Sequence, residues 1–242
     1  MATSVVGYTT AGDLINRTAV QVGLQAVADP FSSVDPAFVQ LQEFLTVVGI
    51  ELSQYLKPHI EKTHTILTAG SATSYDLPAD WTEQVDHTGW DTSSDAPLLG
   101  PISATTDAEV VGTGTTATVN QPYRIKGNVL TFPVAPADGI TYTIRYISSY
   151  WVQSAAGGDP DKAAATVTGD YVRFDPLLVI RALKYHFLSA KGLDTTVAYS
   201  EYKDRRDYCV GQYSGARVLD MRGGGGTATR FISGLNMPDG SW

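Results

Sequence analysis

The sequence predicts an α+β fold: a bundle of about four helices with an inserted small antiparallel β sandwich or barrel and an extended C-terminal arm. Asp35-Pro36 and Asp175-Pro176 each place an N-cap carboxylate before a proline suited to the first helical position. Between these two helix starts the apolar period falls to two, which is typical of strands. The predicted divisions are N-terminal helices at 1–60, an inserted β domain at 61–169, C-terminal helices at 170–215, and a flexible joint and docking arm at 216–242.

Two amphipathic helices are predicted in the N-terminal part. Thr10, followed three residues later by Asp13, opens the first, because a carboxylate in the first turn interacts favourably with the helix dipole. The second begins at Asp35-Pro36 and ends at Pro58, which cannot continue a helix. Apolar residues recur along both segments at helical spacing: Leu14, Ile15, Ala19, Val22 and Val27 in the first, and Phe38, Leu41, Leu45, Val48, Leu52 and Tyr55 in the second.

The middle of the chain is predicted to form strands. Its clearest feature is a hairpin, in which 123–126 and 129–132 flank Gly127-Asn128, a pair that supplies the positive φ angles of a two-residue turn. Weaker alternation predicts short strands at 63–68 and 75–81, and the residues at 112–116 indicate a loop tip. A later strand alternates strictly and places four apolar residues on one face: Ile140, Tyr142, Ile144 and Tyr146.

Two further helices are predicted after the strands. The segment 177–191 is apolar on nearly every side, so this helix is expected at the centre of a bundle or in an interface. Gly192 ends it, since glycine readily adopts the left-handed conformation found just past helix C-termini. The last helix begins at Asp194 or Thr195, continues to about Tyr213, and carries a charged face.

The C-terminal residues have the composition of a docking arm. Four consecutive glycines, 223–226, disfavour helix and strand and predict a flexible joint. Leaving each large apolar side chain beyond them in water would cost about 1.5–3 kcal/mol relative to burial. An arm that docks on a neighbouring subunit or another protein is therefore expected, with these apolar anchors: Phe231, Ile232, Leu235, Met237 and Trp242.

Charge is distributed unevenly along the chain. Residues 1–170 carry 7 Lys/Arg against 18 Asp/Glu, whereas 171–223 carry 9 against 6, within a formal net charge of −8. Chance variation on a solvated surface is one interpretation. The other is that an acidic body repels nucleic acid while the basic C-terminal part meets an acidic partner. The sequence has neither an apolar run of membrane-spanning length nor a secretion signal, so no membrane partner is expected.

No catalytic constellation is predicted, and the chain is expected to be neither an enzyme nor a holder of cofactors or metals. His59, His64, His87 and His186 lack metal-type spacing, and Cys209 is expected to pack in a core. No phosphate-binding loop is present, because the glycine run lacks a following lysine. A weakly bound cation near Asp159 and Asp161 is a minor alternative, since the later glutamate of a calcium loop is missing.

Two sets of residues resemble the head-to-tail adaptors, or tail accessory factors, of short-tailed double-stranded DNA bacteriophages. The first is the opening Thr-Ala-Gly-Asp-Leu-Ile-Asn-Arg at 10–17 with Val22-Gly23. The second is a string through the predicted strands: Tyr-Asp-Leu-Pro-Ala-Asp-Trp at 75–81, His-Thr-Gly-Trp-Asp at 87–91, Pro-Leu-Leu-Gly-Pro at 97–101, Tyr-Arg-Ile-Lys-Gly-Asn at 123–128 and Tyr-Ile-Ser-Ser-Tyr-Trp-Val at 146–152. The resemblance covers most of residues 10–215.

This resemblance implies a structural virion protein of the tail or neck, assembled in the host cytoplasm. It implies a homo-oligomeric ring of twelve copies with three partners: the portal protein, a tail tube or nozzle protein, and double-stranded DNA that passes through the channel without sequence-specific binding. The arm is expected to dock on the portal through Arg230, Phe231, Ile232, Leu235, Met237 and Trp242. The last two helices are expected to supply the ring interface through Leu178, Arg181, Tyr185, Tyr202, Arg205 and Arg206.

The chief alternative is a β-rich carbohydrate- or receptor-binding tail component. Its sugar-stacking platform would consist of Trp81, Trp90, Tyr150 and Trp151. Packing in a core or interface is the competing interpretation of these aromatic residues. A hydrolase is a third alternative, but the sequence offers no pair of carboxylates for one.

Overall fold

A computed structural model describes residues 8–113, 120–155 and 158–213 and shows an α+β fold with antiparallel sheets. Its helices are α1 Ala11–Gln21, α2 Pro36–Tyr55, α3 Ala104–Thr113, α4 Pro176–Ala190 and α5 Thr196–Tyr213, with short 3-10 helices at Pro30–Ser32 and Lys57–Ile60. Its strands are β1 Thr9–Thr10, β2 Glu61–Leu67, β3 Ser74–Asp76, β4 Trp81–Gln84, β5 Trp90–Asp91, β6 Ala96–Pro97, β7 Arg124–Lys126, β8 Val129–Thr131, β9 Thr141–Ser148, β10 Val152–Gln153 and β11 Tyr171–Val172.

Three of the helices begin at the side-chain caps that the sequence predicted. Thr10 accepts a hydrogen bond from the Asp13 amide at 3.2 Å. Asp35 accepts one from the Ala37 amide at 2.9 Å, and Asp175 one from the Leu178 amide at 2.8 Å. Each cap satisfies an amide that has no partner inside its helix, which fixes where the helix begins.

The first helix ends earlier than the apolar pattern predicted. α1 stops at Gln21, and Gly23 has a φ of 82°, which turns the chain away from the helix axis. Val27 nevertheless packs against the helical core, because the Asn16 side chain holds its backbone. The Asn16 amide nitrogen donates to the Val27 carbonyl at 2.8 Å, and its oxygen accepts from the Val27 amide at 3.1 Å.

The larger hydrophobic cluster lies on the helices. α4 packs against α1, α2 and α5, which agrees with the apolar composition of its sequence. The loop after the strands also contributes, since Trp151 is 1% exposed and stacks on Phe174 with ring centroids 6.0 Å apart. Gly49 of α2 permits this contact, because a Cβ there would overlap the Trp151 ring.

A second, smaller hydrophobic cluster lies between the strands. β9 is central in its sheet and pairs with β2, β4 and β5, all antiparallel, while β3, β8 and β7 form a separate sheet. The residues of this cluster are Ile66, Leu77, Leu98, Tyr123, Leu130, Phe132, Tyr142 and Ile144. The predicted apolar face of the late strand is thus buried at Tyr142, Ile144 and Tyr146, with Ile140 packed at its edge.

The predicted hairpin is formed by β7 and β8, with Ile125 opposite Leu130. Its turn differs from the prediction in one respect. Gly127 has a φ of 60°, but Asn128 is not among the residues with positive φ. A single left-handed glycine at the first turn position is sufficient for the II′ class of hairpin turn, so the asparagine does not need a left-handed conformation.

The sequence analysis does not predict α3. In this part of the chain it indicates only the loop tip at 112–116. Ser103 provides the missed signal: its hydroxyl accepts from the Thr106 amide at 3.1 Å, as an N-cap residue does. Asp107 follows in the first turn and forms an ion pair with Arg124 at 3.2 Å. Only the first two residues of the expected loop tip lie within the described part of the chain.

A third, small sheet joins the beginning of the chain to its C-terminal half. β1 pairs with β11, bringing Thr9 opposite Val172, and β10 pairs with the other edge of β11. Among the residues described here, none of the helices combines the length and apolar character that a bilayer span requires.

Candidate interaction surfaces

Asp175 joins the last two helices at one end. The Arg205 guanidinium donates twice to this carboxylate, from Nε at 3.0 Å and from Nη2 at 2.8 Å. Burial alone would raise the pKa of Asp175, but the hydrogen bonds from Arg205 and the Leu178 amide outweigh it and hold that pKa below its usual value. The two-point geometry orients α5 on α4 as well as attracting it.

Glu51 of α2 ties α5 to the helical core on its other side. Its Oε1 accepts from the Tyr202 hydroxyl at 2.6 Å, and its Oε2 lies 3.4 Å from Nε2 of His186. Burial and the Glu51 carboxylate both raise the pKa of Tyr202, so the phenol stays protonated and donates. The Arg206 guanidinium also lies 5.1 Å from the Tyr55 ring centroid. One flank of α5 therefore faces α2.

The structure places the six predicted ring-interface residues close together on α4 and α5 but gives them different exposures. Leu178 is fully buried and Tyr202 is 2% exposed, both within the subunit's own core. Their side chains are not available to a neighbouring copy in this conformation. Arg181, Tyr185, Arg205 and Arg206 are partly exposed and stay a prediction.

Sequence reasoning placed Leu178 and Tyr202 on a surface because α4 is apolar on all sides and α5 looks charged. Three neighbours, α1, α2 and α5, use the apolar sides of α4 instead. Tyr185 stacks on Tyr202 with ring centroids 6.0 Å apart and an interplanar angle of 13°. The aromatic stack thus covers part of the core within one chain.

The predicted portal-docking residues lie outside the described part of the chain. Arg230, Phe231, Ile232, Leu235, Met237 and Trp242 all follow Tyr213, the last described residue.

The four residues of the alternative sugar platform do not form one aromatic surface. Trp151 is buried in the helical core, as described above, and is closed to a ligand. Trp81 stacks on Tyr146 with centroids 4.8 Å apart, and Trp90 donates from Nε1 to Asp95 at 3.1 Å. Tyr150 lies beneath the Lys62 ammonium at 5.2 Å. These contacts favour packing over carbohydrate stacking.

The described residues include no group of three or more His, Cys, Asp or Glu side chains that could hold a metal ion. Cys209 is 4% exposed, and burial raises the pKa of its thiol, which fits the predicted packing role. Burial is also the main reason why the pKa values of His59 and His64 lie below the ordinary value. His64 therefore favours its neutral form at pH 7.

A buried polar cluster in the β part was missed by sequence reasoning. Asp80 is 6% exposed and accepts from Lys62 Nζ at 2.7 Å, from Ser148 Oγ at 2.6 Å and from the Tyr146 hydroxyl at 3.1 Å. Although burial raises the pKa of Asp80, these donors and the Lys62 charge outweigh it and lower that pKa. Residues 62, 80 and 146–148 are too far apart in sequence for a motif to reveal the cluster.

Comparison with known proteins identifies the family. The model of the family described as SU10 adaptor protein matches residues 9–227, which include every described helix and strand. No curated protein matches the chain. The match spans far more than half of the sequence and contains both groups of residues on which the adaptor resemblance was based. The chain therefore belongs to the SU10 adaptor protein family, as the resemblance to phage head-to-tail adaptors predicted.

Proposed function

We propose that the chain is a structural subunit of a bacteriophage head-to-tail adaptor. Twelve copies would form a ring that joins the capsid portal to the tail tube or nozzle and lines the channel through which DNA leaves. The protein would assemble in the host cytoplasm and reside in the neck of the virion. The family match over residues 9–227 is the observation that carries this proposal.

The two hydrophobic clusters support different roles for the helical part and the β part of the subunit. The helical cluster draws on α1, α2, α4 and α5, which come from both ends of the described chain, whereas the smaller cluster lies between strands. We assign the ring to helices from 1–60 and 170–215, and treat 61–169 as an inserted β domain. The proposal assigns no catalytic step and no cofactor to either part.

Direct measurement of assembly tests the proposal. The full-length chain, mixed with isolated portal, is expected to form a complex whose mass corresponds to a ring of adaptor copies on one portal. Native mass spectrometry or sedimentation reads this mass directly. A chain that stays monomeric with portal present, and that instead binds a glycan saturably, would favour the receptor-binding alternative.

The arm is the proposed source of portal affinity. Deleting residues 223–242 should leave the subunit folded, because the described residues, which end at Tyr213, already form two buried hydrophobic clusters. Attachment to portal should be lost, since weak contacts from each arm in a ring add up through high effective concentration. Circular dichroism checks folding, and co-sedimentation with portal checks attachment. Full-strength attachment of the truncated chain would contradict the arm's role.

A further inference from the structure

One edge of the strand β2 has no neighbouring strand among the described residues, because β2 lies at the end of its sheet and pairs there with β9 alone. Directly after β2, the Thr68 amide donates to the Ile140 carbonyl at 2.9 Å. Bonded residues alternate along an antiparallel pair, so the even-numbered residues of β2 bond to β9. The backbone amides and carbonyls that point away from β9 then include those of Thr63, Thr65 and Leu67, which we call the open edge.

The bonds on the other side of β9 agree with this alternation. Arg145 of β9 lies opposite Thr63, and its carbonyl accepts from the Val85 amide at 3.0 Å, on the side away from β2. The described residues form no hydrogen bond to the three amides and three carbonyls of the open edge. Groups in this arrangement are satisfied together by the backbone of one extended segment.

β2 lacks the features that usually keep an edge strand from pairing with another chain. Its register with β9 is continuous from Glu61 to Leu67, without a bulge, and the strand contains no proline. Its lysine, Lys62, is directed to Asp80 at 2.7 Å. Leu67, at the end of the strand, is 65% exposed. An edge of this kind favours pairing with a further strand.

The last described helix ends near the beginning of β2. α5 runs beside α2 in the same direction, because Tyr202 bonds to Glu51 and Arg206 packs on Tyr55. Tyr213, the last described residue, lies seven residues after Arg206 and therefore about 10 Å further along. β2 begins six residues after Tyr55.

Two contacts on the α4 side lead to the same place. Arg205 of α5 pairs with Asp175 at 2.8 Å. The ring of the preceding residue, Phe174, lies edge-on to the His59 ring with centroids 6.3 Å apart. His59 is two residues before β2, so the end of α5 and the start of β2 share one end of the helical part.

The chain after α5 contains a segment suited to a strand. Residues 227–233, Thr-Ala-Thr-Arg-Phe-Ile-Ser, are rich in β-branched and aromatic side chains and lie between Gly226 and Gly234. The preceding residues, 214–226, can extend to about 45 Å. A strand of the length of β2 covers about 23 Å. The segment 227–233 can therefore reach every residue of the open edge from the end of α5.

We propose that residues 227–233 of the free subunit add to the open edge of β2 as a further strand of the same chain. Backbone pairing satisfies the open edge and keeps it from pairing with other chains. This inference goes beyond the proposed function, which assigns the arm to the portal in the assembled particle, and does not depend on it. Because Phe231 and Ile232 are also expected portal anchors, the portal has to compete with β2 for them.

Amide hydrogen exchange of the full-length chain, followed by NMR, tests the added strand. The comparison is with Phe231→Pro combined with Ile232→Pro, because two adjacent prolines remove an amide donor on each side of the added strand. The three open-edge amides should exchange at least about tenfold more slowly in the wild type. The amides of Lys62, His64 and Ile66 bond to β9 and should exchange slowly in both proteins, which verifies that the sheet is intact.

Asn236→Pro, outside the segment, is the matched control and should keep the open-edge amides protected. Equal exchange of these amides in the wild type and the double-proline variant would overturn the inference. Protection that rises with protein concentration would show that a second copy covers the edge, and would overturn it too. Co-sedimentation of the wild type with portal tests the proposed function separately, since its outcome does not depend on exchange in the free subunit.

Discussion

Asp80 connects three segments of the β part through one carboxylate. Lys62 lies on β2, Tyr146 and Ser148 lie on β9, and Asp80 directly precedes β4. The Asp80 carbonyl also accepts from the Ser149 amide at 2.7 Å. A buried charge is tolerated here because Lys62, Tyr146 and Ser148 all donate to the carboxylate.

Replacing Asp80 by asparagine should lower the free energy of unfolding by about 3 kcal/mol at neutral pH, since Lys62 would keep a largely buried charge without its partner. The wild-type pKa is lowered by folding, so the carboxylate stabilises the fold fully above its unfolded pKa of about 3.9. This stabilisation is lost as the pH falls through the folded pKa. The difference between wild type and variant should therefore shrink on going from pH 7 to about pH 3.

Urea unfolding at the two pH values measures that difference. Asp76→Asn, at an exposed carboxylate on β3, is the control and should change stability by less than about 0.5 kcal/mol. A difference between wild type and Asp80→Asn that does not change with pH would show that the Asp80 charge does not stabilise the native state.

Among the elements, those that begin or end at a characteristic capping, proline or glycine residue could be predicted from sequence. Asp35-Pro36 and Asp175-Pro176 set the starts of α2 and α4, and Gly192, with a φ of 68°, lies just past the end of α4. The place of Trp151 could not be predicted, because nothing in its neighbourhood tells which of two cores it enters. The same limit applies to Leu178 and Tyr202, whose burial depends on neighbouring helices.

The contact between α2 and Trp151 predicts that replacing Gly49 by alanine destabilises the subunit. Alanine usually stabilises a helix relative to glycine, but a methyl group at position 49 would overlap the indole. Gly49→Ala should therefore lower the free energy of unfolding by about 1–3 kcal/mol through overpacking. Thermal or urea unfolding of the purified subunit measures the change.

Gly211 in α5 offers the matched control, because a Cβ there would meet no atom of the described residues within 4 Å. Gly211→Ala should be neutral or stabilise the subunit by up to about 1 kcal/mol. Equal stability of the two alanine variants would show that the Trp151 ring moves aside without cost.

At the scale of the whole molecule, net charge bears on the proposed DNA channel. A lining of acidic side chains would repel the DNA phosphates and let DNA pass. Basic side chains at the same place would instead bind the phosphates and hold the DNA back. Residues 1–170, with 18 acidic and 7 basic side chains, have the charge that such a lining needs.

The isolated full-length protein should therefore not bind double-stranded DNA at physiological salt, and should bind it only weakly at low salt. Fluorescence anisotropy with a labelled duplex across a salt series measures this. Tight binding that weakens steeply as salt increases would reveal several phosphate contacts and contradict a channel lined by the acidic body.

The pairing of β1 with β11 also sets an order of events during synthesis. Thr9 cannot pair with Val172 until Val172 has been synthesised. In the same way, α1 cannot pack against α4 until α4 has been synthesised. At about 5–20 residues per second, translation imposes a delay of roughly ten to thirty seconds between the two. All the strands that surround the smaller hydrophobic cluster emerge within that interval. The nascent polypeptide can thus complete the middle of the molecule first, while its beginning awaits a partner still being translated.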